Sequence, residues 1–160
     1  MTIQIGDSIP MAVLNHFQEG VQALGTDELF SNSKVLLFAV PGAFTPTCSA
    51  RHLPGYVENM DKFRQRDIKV ACLAVNDAFV MHAWGKQHET PDDLLMLADG
   101  NAEFTRALGL ELDATGFGMG LRSKRFALYA ENGVVKSLWI EAPGEFKVSA
   151  ADFVLNNIPQ

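Results

Sequence analysis

Cys48 closes the segment Pro41-Gly42-Ala43-Phe44-Thr45-Pro46-Thr47-Cys48, directly after the apolar run Val35-Leu36-Leu37-Phe38-Ala39-Val40. That run is short, rich in branched and aromatic residues and followed by Pro-Gly, so it reads as a buried strand ending in a turn. Thr45 is a good N-cap and Pro46 is pre-organised for the first helical position, which predicts a helix with Cys48 as its third residue. A capping box would put Glu or Gln there; a thiol takes the place instead. First-turn N–H groups without intrahelical partners and the positive end of the helix dipole both favour a thiolate, the nucleophilic form of cysteine. Against this stands the fact that free cysteines are among the most buried residues and mostly serve packing. Cys72 falls on that side. It lies inside Ile68-Lys69-Val70-Ala71-Cys72-Leu73-Ala74-Val75, a run that reads as a core strand, where desolvation raises a thiol's pKa.

The elements needed to hold Cys48 are visible in the pattern of apolar residues. Met11 to Phe17 reads as extended, and Thr26 to Phe30 as a short capped helix before a strand over Lys34 to Val40. From Pro46, the residues Leu53, Tyr56, Val57, Met60 and Phe63 recur at spacings of three and four, predicting one helix that packs on a sheet and ends near Gln65 to Asp67. The strand over Ile68 to Val75 completes a βαβ unit, whose right-handed crossover makes the two strands parallel and places Cys48 at a carboxyl end of the sheet. Asn76-Asp77 opens a helix through about Gln87, Leu94 to Asp99 is a further strand, and a short helix runs through Phe104 and Leu108. The stretch after it reads as loop. Arg125 to Ala130 and Val134 to Ile140 flank Glu131-Asn132-Gly133, a strong antiparallel hairpin signal, and a last helix is expected to be capped near Ser149.

The chain of 160 residues is expected to form a single domain over 1–160. With 13 Lys plus Arg against 19 Asp plus Glu, the formal net charge of -6 argues against nucleic-acid or anionic-membrane partners. Met1 to Asp7 has no basic region followed by an apolar core, and no apolar stretch approaches bilayer length, so a cytoplasmic protein is expected. Two cysteines make no disulfide scaffold. No Cys-x-x-Cys or paired Cys/His spacing calls for zinc, and no cofactor or metal is expected.

Taken together, Pro41-x-x-x-Thr45-x-x-Cys48 resembles the peroxidatic motif of the peroxiredoxins. The resemblance extends over Val40 to Ser49, His52-Leu53-Pro54-Gly55-Tyr56, Ala71 to Val80, Trp84-Gly85 and Lys124-Arg125-Phe126-Ala127, and is to the type II, or peroxiredoxin-5-like, subfamily. It implies an α/β thioredoxin-like fold, a central mixed sheet flanked by helices, with an N-terminal extension. The order βαβ followed by ββα agrees. It further implies a thiol-dependent peroxidase acting on hydrogen peroxide and organic hydroperoxides. Cys48 would attack the peroxide and become a sulfenic acid. Thr45 would hydrogen-bond thiolate and peroxide, besides its role as N-cap, and Pro41 would shield the site from water, besides ending the strand. Arg125 would bring its guanidinium over the sulfur, although Arg122-Ser123-Lys124-Arg125 taken alone reads as a solvated basic run. Arg51, three residues after Cys48, is a rival by helical spacing; His52 reads as a surface or packing residue rather than a base.

Some members of the subfamily carry a resolving cysteine near the C-terminus, whereas Phe146-Lys147-Val148-Ser149 has none. A disulfide needs Cα atoms within about 7 Å, and a Cys72 held in a core strand is expected not to meet Cys48. The resemblance therefore implies a one-cysteine cycle, with glutathione and glutaredoxin, or thioredoxin, as reductant. It also implies a homodimer to which Phe44, Phe79 and Trp84 can contribute. A thioredoxin-type reductase would want cysteine where Arg51 stands, and a cysteine phosphatase would want arginine where Pro54 stands. Gly116-Phe117-Gly118-Met119-Gly120 lacks the context of a phosphate loop and reads as a mobile loop. The non-enzymatic alternative is a peroxide-sensing redox switch or holdase on the same scaffold.

Overall fold

The computed structural model describes residues 1–159. In chain order its strands are β1 (Val13–Phe17), β2 (Val21–Gly25), β3 (Lys34–Ala39), β4 (Ile68–Ala74), β5 (Leu94–Ala98), β6 (Glu111–Asp113), β7 (Leu121–Ser123), β8 (Phe126–Glu131) and β9 (Val134–Ile140). Its helices are α1 (Thr26–Phe30), α2 (Leu53–Glu58), α3 (Met60–Gln65), α4 (Ala78–Gln87), α5 (Glu103–Leu108) and α6 (Ala151–Asn157). The main sheet has seven strands in the order β2-β1-β5-β4-β3-β8-β9. Strands β3, β4 and β5 are parallel, and β8, β9 and the β1–β2 hairpin run antiparallel. This is the thioredoxin-like architecture with its N-terminal extension on one edge.

Alternation along the central strands sorts side chains to two faces, because neighbouring residues of a strand point to opposite sides. Leu36, Phe38 and Val40 join Val70, Cys72 and Ala74 on one face, under Leu53, Tyr56, Phe63, Met81, Trp84 and Val154 from the helices. Val35, Leu37 and Ala39 join Leu73, Leu97, Phe104 and Leu128 on the other. Burial on both faces explains why these strands read as unbroken apolar runs. Phe38 stacks on Tyr56 with ring centroids 3.9 Å apart, so the sheet grips the helical segment just beyond Cys48.

Several local readings need correction. The helix from residue 46 is not one smooth α-helix. It widens into a π turn over Cys48–His52, where the Leu53 N–H reaches the Cys48 carbonyl, and it breaks again at Asn59 (φ -103°, ψ 8°) between α2 and α3. The Thr45 hydroxyl donates to the Gly42 carbonyl at 2.7 Å instead of accepting a helix N–H. The stretch after α5 is not plain loop, since β6 and β7 pair antiparallel around a 3-10 turn at Thr115–Phe117. Helix α6 takes no cap from Ser149, because that hydroxyl donates to Glu141. By contrast Asp77 caps α4 as expected, its carboxylate accepting from Val80 N–H at 2.8 Å.

Candidate active site

The site lies at the carboxyl ends of β3 and β4, built from the loop that leaves β3. Pro41 is half-buried where the strand ends, and Phe44 turns the chain at φ 66°, a left-handed conformation that is uncommon for an aromatic residue. The loop is tied to the end of β4 by Ala43 N–H, which donates to Asn76 Oδ1 at 2.9 Å. Arg122 presses on it from the other side. Its Nη1 donates to the Val75 carbonyl at 3.3 Å and would lie 3.1 Å from any Cβ at residue 42, so glycine there permits the close approach. Thus Arg122 braces the loop and does not extend into solvent as part of a basic run.

Cys48 enters the π turn with its side chain fully buried. Arg125, one residue before β8, donates from Nη2 to Cys48 Sγ at 3.1 Å and from Nη1 to His52 Nδ1 at 2.7 Å. The register of β8 on β3 causes this placement: Phe126 pairs with Ala39, so Arg125 sits level with the chain just leaving the top of β3. His52 Nε2 lies 3.1 Å from the Ser149 carbonyl, which also accepts from the Tyr56 hydroxyl at 2.7 Å. Ser149 is in turn held by the buried Glu141 carboxylate, which accepts from Ser149 N–H at 2.9 Å, Ser149 Oγ–H at 2.7 Å and Lys147 N–H at 2.7 Å. The same C-terminal segment lays Phe146 under two guanidinium groups, Arg51 at 4.8 Å and Arg125 at 5.8 Å from the ring centroid.

Of the two arginine candidates, then, Arg125 meets the sulfur and Arg51 does not. The π turn is the reason. Widening the repeat from i+4 to i+5 swings the third residue after Cys48 off the sulfur's face and brings the fourth over it. Arg51 is therefore exposed and packs on Phe146, whereas His52 is buried beside Arg125. His52, set aside on sequence as a surface or packing residue, is brought into the site; its i+4 spacing from Cys48 was the available signal. Thr45 makes no hydrogen bond to Cys48, its hydroxyl being engaged by Gly42.

Burial, with the Arg125 charge adding to it and the Ser149 carbonyl partly opposing, lowers the His52 pKa to about 3, so the imidazole is neutral. Burial raises the Tyr56 hydroxyl well above its ordinary range. Burial acts on Glu141 in the same sense, yet the hydrogen bonds from Ser149, Lys147 and Val148 outweigh it and hold the carboxyl below its ordinary value. The result is one half-buried positive group, Arg125, facing the sulfur beside a neutral imidazole.

A family model described as Redoxin matches residues 4–155. Two plant relatives match nearly the whole chain. The rice protein "Peroxiredoxin-2E-2, chloroplastic" (Oryza sativa subsp. japonica) is 47% identical over 96% of this chain and 72% of its own length. "Peroxiredoxin-2B" of Arabidopsis thaliana is 42% identical over 96% of both. The chain belongs to the peroxiredoxins. Among solved structures, reduced Prx3 of Vibrio vulnificus in complex with H2O2 superposes with a TM-score of 0.92 at 50% identity, covering 97% of this chain and 98% of that one. The protein is accordingly a thiol-dependent peroxidase with a thioredoxin-like fold.

The other thiol of this peroxiredoxin is set apart by its surroundings. Cys72 is fully buried in β4, paired with Phe38 of β3 and Met96 of β5, and both cysteines are free. Burial, followed by the proximity of Cys48 and only partly opposed by Arg125, pushes the Cys72 thiol up. The sulfur does share the apolar face on which Cys48 lies, so the barrier between them is packing within one cluster and not the sheet itself. Trp84 is a core residue, fully buried, with its indole N–H donating to Ser49 Oγ at 2.9 Å, and cannot form a dimer surface. Phe44 and Phe79 are 48% and 64% exposed.

Proposed function

We propose that this peroxidase works through Cys48 as peroxidatic residue in a one-cysteine cycle. The Cys48 thiolate attacks the terminal oxygen of a hydroperoxide. The S–O bond forms as the O–O bond breaks with its electron pair on the leaving oxygen, which takes up a proton and departs as water or alcohol. Sulfur is thereby oxidised to the sulfenic acid. Arg125 stabilises negative charge on the sulfur and on the departing oxygen. Thr45 contributes its hydroxyl to the peroxide after turning from Gly42, and Pro41 limits water. The observation that supports this reading is the 3.1 Å contact from Arg125 Nη2 to Cys48 Sγ in a buried pocket.

For recycling, one glutathione thiol condenses with the sulfenic acid, releasing water and leaving a mixed disulfide, and a second thiol, with glutaredoxin as carrier, regenerates Cys48 and yields the glutathione disulfide. Thioredoxin is the competing reductant. The V. vulnificus relative's complex with H2O2 supports hydrogen peroxide as one substrate here. A homodimer using the exposed Phe44 and Phe79 completes the proposal. Peroxide consumption with the glutathione/glutaredoxin and thioredoxin systems in parallel tests the cycle. Turnover supported by neither system would leave a peroxide sensor as the better reading.

A further inference from the structure

The Arg125 guanidinium is half-buried beside Cys48, yet among the described residues no carboxylate pairs with it. A carboxylate would fix its position but also cancel much of the charge that the sulfur needs. The side chain instead has two hydrogen-bond partners among the described residues, the Cys48 sulfur and His52 Nδ1. A guanidinium can only donate hydrogen bonds, so His52 Nδ1 must be the accepting nitrogen and the imidazole proton must lie on Nε2. There it faces the Ser149 carbonyl at 3.1 Å, an acceptor that requires a donor. Each end of the imidazole thus enforces the same tautomer. Glu141 fixes that carbonyl in turn by accepting three hydrogen bonds from Ser149 and Lys147.

We propose that His52 is a positioning residue for the peroxidatic reaction, acting as the Nε2–H tautomer to hold the Arg125 guanidinium over Cys48 without neutralising its charge. The proposal rests on the reading of Cys48 and Arg125 given above. A guanidinium held by one hydrogen bond can rotate about it, whereas two partners on different nitrogens fix its plane. His52 supplies the second, and it reaches its place through the π turn that also presents Cys48. His52 can do this because it stays uncharged: an imidazolium would turn a proton toward the guanidinium and expel it.

The test separates this role from packing. His52→Phe keeps an aromatic ring among Phe38, Tyr56 and Phe146 but offers Arg125 no acceptor; the Ser149 carbonyl keeps its bond from Tyr56 at 2.7 Å. His52→Asn keeps an acceptor at the Nδ1 position but leaves a void. The rate of Cys48 sulfenic acid formation is expected to fall by about ten- to a hundredfold in His52→Phe, the range for misplacing a catalytic group. It should fall less in His52→Asn, although His52→Asn melts at the lower temperature. Adding His52→Phe to Arg125→Ala should cost nothing further, because His52 acts through Arg125. Rates that follow melting temperature, or losses that add, overturn the proposal. Should His52→Phe not fold, nitrogen-15 NMR of the wild-type imidazole decides: a protonated Nε2 and bare Nδ1 at neutral pH are expected, and a proton on Nδ1 overturns it. Undiminished sulfenic acid formation in the Arg125→Ala single variant would instead overturn the reading of Arg125, while the NMR tautomer would still report on His52.

Discussion

Arg125→Ala removes the N–H donated to Cys48 Sγ at 3.1 Å together with the half-buried positive charge that carries it. A hydrogen bond to a charged group contributes about 1.5–3 kcal/mol. Two unit charges at 3.1 Å in an effective dielectric of about 20 attract by about 5 kcal/mol, which bounds the effect from above because water enters the space left by the side chain. At about 1.4 kcal/mol per factor of ten, the lower range slows attack on peroxide by about 10- to 150-fold. Trp84 provides the assay. Its indole donates to Ser49 Oγ, the residue next to Cys48, so its fluorescence should report oxidation of the sulfur in stopped flow. The second-order rate constant is taken from observed rates against peroxide concentration, with Arg51→Ala in parallel. Arg51 packs on the Phe146 ring from an exposed position, and its loss should change the rate by less than about fivefold, the worth of an exposed cation–π contact. If Arg125→Ala reacts as fast as wild type, or Arg51→Ala proves the slower, the electrostatic argument is wrong.

Cys48→Ser should abolish peroxide reduction and Cys72→Ser should retain most of it, since one thiol faces Arg125 and the other is held protonated by burial; steady-state peroxidase rates of the two folded variants decide. After one equivalent of hydrogen peroxide without reductant, intact mass should show a dimedone-trappable sulfenic acid on Cys48, and a dominant Cys48–Cys72 disulfide would instead make Cys72 the resolving residue. Stability should fall on the acid side. Unfolded His52 takes up its proton near pH 6.5 but the folded residue only near pH 3, so the unfolded state binds more protons in that window and stability rises with pH across it. The depressed Glu141 carboxyl acts in the same sense at lower pH, its contribution being present above its unfolded pKa and lost as pH falls through the folded value. Melting temperature against pH should therefore be flatter between pH 6.5 and pH 3 in His52→Phe than in wild type. Phe38→Ala removes a fully buried ring stacked on Tyr56 and should cost about 3–5 kcal/mol in denaturant unfolding.

Residues whose meaning depends on near neighbours were legible directly. Asn132-Gly133 turns the β8–β9 hairpin with both residues at positive φ, 47° and 78°, as that dipeptide demands. Asp77 caps α4, and the apolar runs became the parallel core strands. Cys48 stood out as a candidate for the same reason, since a strand, a turn and a helix start surround it within a dozen residues. The helix itself was misread as uniform. An α-helical and a π-helical first turn use the same apolar spacing to within a residue, and the choice between them decided that His52, not Arg51, lies on the sulfur's side.

The partners around Cys48 come from far along the chain: Arg125 by β8 pairing with β3, and Ser149 and Glu141 from the segment between β9 and α6. Nothing in the run Arg122-Ser123-Lys124-Arg125 distinguishes the arginine that braces the loop from the one that faces the sulfur. Sheet register made that distinction, because pairing Phe126 with Ala39 leaves only Arg125 level with the end of β3. Ser149 looked like a helix cap because its neighbours allow one; the buried carboxylate of Glu141, brought to it by the fold, was the stronger acceptor. The sequence alone thus marked the candidate nucleophile and determined most of the strands and helices that carry it, since those depend on propensities and contacts within a few residues. The charge, the tautomer and the hydrogen bonds around the sulfur were decided by tertiary structure, because each depends on which distant groups are buried together.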